Sequence, residues 1–191
     1  MRAVMWDVPP EILEWRRRTG ADRRDEVWDG VLHMGPSPDN DHQRLESDLE
    51  YRLRSTWRSR SGGEVLHQIN VSPGGTWKDD YRIPDLILLL PGSRAIDRGE
   101  YYEGGPEVVI EIRSPRDETY EKLPFYAGLG VPEVWVVDRD TKAVEIHVLE
   151  GEVYRVLAPD EEGWSASAVT GLELRGHAGQ VEMRWADARE V

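Results

Sequence analysis

Two short apolar runs, each carrying a single carboxylate, constrain this chain more than any other feature. The first reads Ile-Pro-Asp-Leu-Ile-Leu-Leu-Leu from Ile83 to Leu90, and the second reads Glu-Val-Val-Ile-Glu-Ile-Arg from Glu107 to Arg113. An unbroken Leu/Ile run of this length predicts a strand covered on both faces, in the middle of a layered sheet. In the second run alternation puts Val108, Ile110 and Ile112 on one face and Val109, Glu111 and Arg113 on the other. Carboxylates are depleted in strands and are almost never buried without a partner. Asp85, just after Pro84, and Glu111, inside an apolar strand, therefore call for a counter-charge. Lys122 follows Glu111 by eleven positions, in a chain where only three of the 24 cationic residues are lysines.

A hard divalent cation takes oxygen ligands, commonly one or two carboxylates with water completing the shell. Asp85 and Glu111 on neighbouring strands supply two such ligands, with the backbone carbonyl of Ile112 as a third oxygen. Mg²⁺ or Mn²⁺ is the expected ion. It would lower the pKa of bound water and polarise a phosphoryl oxygen, with a nearby cation stabilising the developing charge. Two residues compete for that cationic role. Arg113 shares the face of Glu111 but stays protonated, so it suits phosphate contact. Lys122, one helical turn before Tyr126, is favoured, since a lysine can also give up its proton when buried beside a metal.

Around this centre the periodicities predict a short helix over Pro9–Arg18, whose Arg16–Arg18 run reads as a solvated helix end, and a hairpin over Glu26–Met34 turning at Asp29-Gly30. A loop over Pro36–Asn40 precedes a helix over Asp41–Arg58, capped by Asp39 or Asn40. Its apolar stripe is Leu45, Leu49, Leu53 and Trp57, and its far end is basic. His42 and Glu46 lie one turn apart at its start, placed to serve as an outer ligand or a water holder. A strand over Glu64–Val71 comes next, and a long polar connection carrying Tyr101 and Tyr102 separates the two central strands. A helix is expected over Asp117–Gly128, where Pro124 kinks it or delays its start. A three-strand meander follows over Glu133–Asp138, Ala143–Leu149 and Glu152–Leu157, with its second turn at Glu150-Gly151. Past Pro159 the pattern weakens to short β or irregular segments and a capping segment near the end. Trp28, Trp57 and Trp135 are assigned to the core.

The ordered set Asp29-Gly30, a proline ahead of His42, Pro84-Asp85, Glu111-Ile-x-Ser114-Pro115, Lys122-x-x-x-Tyr126, Gly130-Val131 and Glu133-x-Trp135-x-Val137-Asp138 resembles a bacterial endonuclease family long catalogued as a domain of unknown function. That family lies within the PD-(D/E)XK restriction-endonuclease-like superfamily, and the resemblance spans about residues 24 to 155. It implies an α/β (α+β) fold with a mixed central sheet flanked by helices and an added C-terminal meander. It also implies metal-dependent hydrolysis of DNA phosphodiester bonds. Carried over by residue, it marks Asp85 and Glu111 as metal ligands and Lys122 as a displaced catalytic lysine, with a helix-borne polar group near His42 or Glu46. The superfamily's usual Glu-x-Lys reads Glu111-Ile-Arg113 here, and the common Ser-Thr after the strand is replaced by Arg116-Asp117-Glu118-Thr119 behind Ser114-Pro115.

At 191 residues, one domain is expected, with an N-terminal helix and hairpin over 1–35, a catalytic core over 36–138 and the meander and tail over 139–191. The chain has no cysteine, which excludes disulfides, thiolate zinc and thiol nucleophiles. It has no signal-like apolar segment and no run long enough for a membrane span, so a cytoplasmic protein is expected. A net charge of −13 opposes broad, non-specific binding to nucleic acid. That charge keeps open a non-catalytic nuclease-like fold acting as a binding or assembly module, with its carboxylates in an ion-pair network. A glycosidase using Asp85 and Glu111 as acid and base fits less well, because no sugar-stacking aromatics surround them. A homodimer is expected, since cutting a duplex needs two active sites or two encounters.

Overall fold

The computed structural model describes residues 3–5, 8–35, 38–115 and 117–187. Pro36 and Ser37 of the expected loop, Arg116, and the last four residues lie outside them.

The centre is a six-stranded mixed sheet. Its strands are β4 (Glu64–His67), β6 (Leu86–Leu89), β9 (Val108–Arg113), β10 (Glu133–Asp138), β11 (Val144–Glu150) and β12 (Val153–Val156), in the order β12-β11-β10-β9-β6-β4. Only β9 and β10 run parallel, and the other pairs are antiparallel. The meander is thus continuous with the central sheet, and its second turn falls at Gly151-Glu152, one residue beyond the expected position.

All four residues of β6 are buried, as a strand covered on both faces requires. On one face Leu86, Leu88, Val108, Ile110, Ile112, Trp135 and Val137 pack against Leu45, Leu49, Leu53 and Trp57. Those four come from α2 (Asn40–Arg52) and its continuation, Leu53–Arg58, which widens into π-type turns before the helix ends at Ser61. The other face carries Ile87, Leu89, Val109, Val134 and Val136 under Tyr126 and Val131. Gly63 lies where β4 passes Trp57. A Cβ there would stand 2.5 Å from the Leu89 carbonyl oxygen and collide with the indole, so only glycine fits.

Several sequence expectations are corrected. The strand expected over Glu64–Val71 breaks at Gln68, which takes a positive φ of 51°. Val71–Ser72 (β5) instead joins a small second sheet with β7 (Ile96–Asp97) and β8 (Tyr102–Glu103), two short strands that lie within the long polar connection. The helix expected over Asp117–Gly128 starts late, as Pro124 demands: a 3₁₀ turn over Tyr120–Lys122 leads into an α-helix over Leu123–Gly128. Between Pro159 and Asp187, the last described residue, the chain forms three β strands. β13 (Ser165–Ala166), β14 (Leu172–His177) and β15 (Gln180–Trp185) form a sheet that adds Leu172, Leu174 and Val181 to the main core. The tight turn between β14 and β15 is Ala178-Gly179, both at positive φ, and alanine gives no warning of such a turn.

At the N-terminal end, α1 (Pro10–Thr19) leads to the hairpin of β2 (Asp25–Trp28) and β3 (Val31–Met34). Asp29 and Gly30 turn it with φ of 49° and 81°, the type I′ geometry read from the sequence. β1 (Ala3–Met5) adds a third strand. Arg16 is not solvated as expected: its guanidinium binds Asp25 at the start of β2 and fixes helix to hairpin. Trp57 and Trp135 are core, whereas Trp28 is half-buried, stacked on His33 with ring centroids 4.0 Å apart. Among the described residues no helix is long and apolar enough to cross a membrane.

Candidate functional site

The hairpin, the start of α2 and the ends of β6 and β9 enclose a cleft of about 590 Å³ lined by Glu26, His42, Asp85, Glu111 and Lys122 among others. Asp85 occupies its junction. Leu86 pairs with Ile110, so the register extended by one residue sets Asp85 opposite Glu111. Side chains so placed have Cβ atoms about 5 Å apart. The ladder ends at Leu86, and beyond it the Asp85 side chain takes over the next β9 donor: its Oδ2 accepts the Ile112 N–H at 2.6 Å. The N–H and C=O of a strand residue leave from the same edge. The Ile112 carbonyl therefore projects toward the Asp85 side of β9.

The second oxygen of Asp85 meets α2. Asp39 caps that helix by accepting the N–H groups of Asp41 and His42, which points the first turn into the cleft. The His42 ring places Nε2 2.9 Å from Asp85 Oδ1, with Nδ1 3.5 Å from the Ser114 hydroxyl. One turn on, Glu46 accepts from the amides of Gln68 at 2.7 Å and Gln43 at 3.1 Å. One donor atom from each of His42, Glu46 and Asp85 lies within 4.8 Å of the others, and all three residues are buried. Among the described residues this is the cluster with the geometry to share one metal ion. Glu111 lies beside it and is engaged differently.

Both oxygens of Glu111 lie 3.1 Å from the Lys122 ammonium, and Oε1 also accepts the Tyr126 hydroxyl at 2.5 Å. Lys122 is held from the far side by Glu26, whose Oε1 is 2.8 Å away. Glu26 is itself fixed by the Ile83 N–H and the Trp28 indole N–H, each at 2.8 Å. The 3₁₀ turn ahead of Pro124 delivers Lys122, and the α-helix behind it delivers Tyr126.

The ionisation of these groups reflects crowding of carboxylates. Burial pushes the Glu111 carboxyl up to about 8, with Asp85 and Glu26 adding to the rise and Lys122 opposing it. Burial disfavours the Lys122 ammonium, but Glu111 and Glu26 outweigh it, so the pKa is raised and the lysine stays charged. Burial and then Glu111 raise the Tyr126 phenol well above its usual range, so it remains a donor. Burial and the Asp85 charge raise Glu46. For His42, burial favours the neutral ring, yet the hydrogen bond and charge of Asp85 raise its pKa. Asp85, Glu111, Glu46 and Glu26 converge on Lys122 and His42, leaving a surplus of negative charge. That surplus, together with an imidazole and two carboxylates on one point, fits a divalent cation.

The structure therefore gathers Asp85, Glu111, Lys122, His42, Glu46, Tyr126 and the Ile112 backbone, but not Arg113. Its guanidinium turns away to Asp138 at 3.5 Å and the Tyr120 hydroxyl at 3.3 Å, outside the cleft lining. Glu111 and Glu26 raise the Lys122 pKa, the direction opposite to the proton loss expected of it beside a metal. The basic end of α2 is largely neutralised, with Arg52 on Asp48 and Arg54 on Glu50, each at 2.8 Å. Glu26 escaped the sequence reading. The signal was the one that exposed Glu111, an acidic residue inside an alternating apolar strand.

In the solved structures, a crystal structure of a "putative nuclease belonging to DUF820" from Anabaena variabilis shares the fold, with a TM-score of 0.60 at 15% identity over 76% of this chain and 83% of that one. No curated protein matches the chain in sequence. Residues 9–178 match the Uma2 family, described as "Putative restriction endonuclease", and the chain belongs to that family.

Proposed function

We propose that the protein is a divalent-metal-dependent endonuclease that hydrolyses DNA phosphodiester bonds in the cleft around Asp85. The observation that carries this reading is one junction residue serving two constellations. Asp85 converges with His42 and Glu46 within 4.8 Å, and it adjoins the Glu111 carboxylate that holds the Lys122 ammonium. Asp85, Glu46 and a neutral His42 would hold the ion, with Glu111 and the Ile112 carbonyl at its margin. Carboxylate oxygens suit Mg²⁺ or Mn²⁺, and the imidazole nitrogen favours Mn²⁺ of the two. Such an ion supplies Lewis acidity toward a phosphoryl oxygen and lowers the pKa of water.

The chain's own groups divide the remaining work. Lys122, charged and clamped between Glu26 and Glu111, is a fixed cation for the negative charge that grows on the phosphorus oxygens. It serves as an electrostatic group and not as a base. Tyr126 orients Glu111, and Glu26 sets the position of Lys122 from the hairpin. A homodimer related by a two-fold axis would bring two such clefts to one duplex.

The test is cleavage of supercoiled plasmid in Mg²⁺ or Mn²⁺ by wild type, Asp85→Ala and Lys122→Met. Cleavage by the wild type alone supports the reading. Equal cleavage by all three traces the activity to a contaminant, and no cleavage with retained DNA binding leaves a nuclease-like binding module.

A further inference from the structure

We propose that Arg24 is the residue of this cleft that grips a substrate phosphate, the role that Arg113 is turned away from. The assignment rests on the nuclease reading and adds a positioning contact to it.

Arg24 sits just before β2, and alternation gives it the same hairpin face as Glu26. Across the hairpin Glu26 pairs with His33, and Arg24, Glu26, His33 and Gly35 all line the cleft. Arg24 is close enough to act electrostatically on both His42 and Glu46. Even so, it makes no hydrogen bond or ion pair among the described residues.

The other cations of the cleft are occupied. Lys122 is divided between Glu26 and Glu111, and Arg139 binds Asp39 at 2.5 Å and Asp140 at 2.8 Å. Among the described cations that line the cleft, Arg24 is the one whose fork of N–H donors is free, and that fork matches two phosphate oxygens. Half-buried beside a carboxylate-rich cluster, it is anchored near the acids without being consumed by them. A polyanion entering the site therefore meets two cations that line it, Arg24 from the hairpin and Lys122 from the 3₁₀ turn.

The experiment measures binding of a fluorescein-labelled DNA duplex by anisotropy in Ca²⁺, over a salt series, for wild type, Arg24→Ala and Arg24→Lys. Mn²⁺ affinity of each is measured by calorimetry without DNA. Loss of one charge-assisted contact predicts about tenfold weaker DNA binding for Arg24→Ala. The slope of log affinity against log salt should shrink by about one. Arg24→Lys should recover part of the affinity, and Mn²⁺ binding should be unchanged or tighter. DNA binding unchanged in Arg24→Ala overturns the assignment while leaving the nuclease reading intact. A fall in Mn²⁺ affinity that matches the fall in DNA affinity also overturns it, since Arg24 would then be holding the carboxylates. Failure of the wild type to bind DNA overturns the nuclease reading and Arg24 with it.

Discussion

Replacing Lys122 by Met removes the one ammonium that stands between two buried carboxylates. Lys122 is 2.8 Å from Glu26 and 3.1 Å from both oxygens of Glu111, and the three side chains are only 13%, 9% and 5% exposed. Breaking a buried ion pair by deleting one partner costs about 3–5 kcal/mol, because the remaining charge stays desolvated. Lys122→Met leaves the Glu26 charge unpaired and pushes the Glu111 carboxyl, already raised by burial, further toward its protonated form, so the loss falls within that range. Glu26→Gln keeps an oxygen for the Ile83 N–H but gives up a charge-assisted bond to Lys122, for a loss of about 2 kcal/mol. The double variant has lost both the lysine and one of its two carboxylates. Only Glu111 is then left without its cation, and Tyr126 still donates to it. The double variant should therefore be more stable than the sum of the singles by about 1 kcal/mol or more. Denaturant unfolding at neutral pH in EDTA reads all three values. Additivity within about 0.5 kcal/mol would refute the clamp, because it would mean that Glu26 and Lys122 act on stability independently.

A pH series isolates Glu111. Its folded pKa of about 8 stands above the ordinary 4.5, so its contribution is full below 4.5 and is lost as pH rises toward 8, while the unfolded chain gives up its proton first. The midpoint difference between wild type and Glu111→Gln in EDTA should drift against wild type from pH 5 to pH 8. A drift in the opposite sense would contradict the burial argument. His42 must be neutral to ligate, and its pKa is raised above 6.5. Mn²⁺ affinity should therefore climb as pH rises through the raised His42 pKa and level off beyond it, and His42→Ala should flatten the climb while weakening binding by at least about tenfold, as titration calorimetry can show. Gly63→Ala tests the core alone: its Cβ meets Leu89 and Trp57, so thermal unfolding should report a loss of about 1–3 kcal/mol with metal affinity unchanged.

The central strands were legible because burial on two faces leaves a distinctive apolar run, and a carboxylate inside one is chemically conspicuous. The hairpin was legible because Asp-Gly tolerates the positive φ that its turn requires. The β14–β15 hairpin was not, since Ala178-Gly179 makes the same kind of turn without a residue type that announces it. Gln68 likewise breaks β4 from β5 at a positive φ that glutamine seldom adopts. Within the cleft, Asp85, Glu111, Lys122, His42, Glu46 and Tyr126 could be gathered because each lies on, or directly beside, a regular element with a readable face. Which groups pair with which depended on tertiary contacts that spacing does not encode. Glu26 reaches Lys122 across 96 positions of chain, and His42 reaches Asp85 across 43.

Those pairings change the meaning of the chain's net charge of −13. Acidity spread over the surface would simply repel a polyanion, and that is the force of the binding-module alternative. Here part of it is concentrated in the cleft. Glu26, Asp39, Asp85, Glu111, Asp117 and Glu118 line it against Arg24, Lys122 and Arg139, and two of those cations are already shared with acids. A cleft so composed has low affinity for DNA until a divalent cation offsets the surplus, because phosphate binding is driven by neutralisation. Metal affinity and DNA affinity must then be linked, each ligand strengthening the other by the same factor. A binding module whose carboxylates form only a structural network predicts no such reciprocity. Measuring Mn²⁺ affinity with and without an uncleavable duplex therefore separates the two readings without relying on catalysis at all.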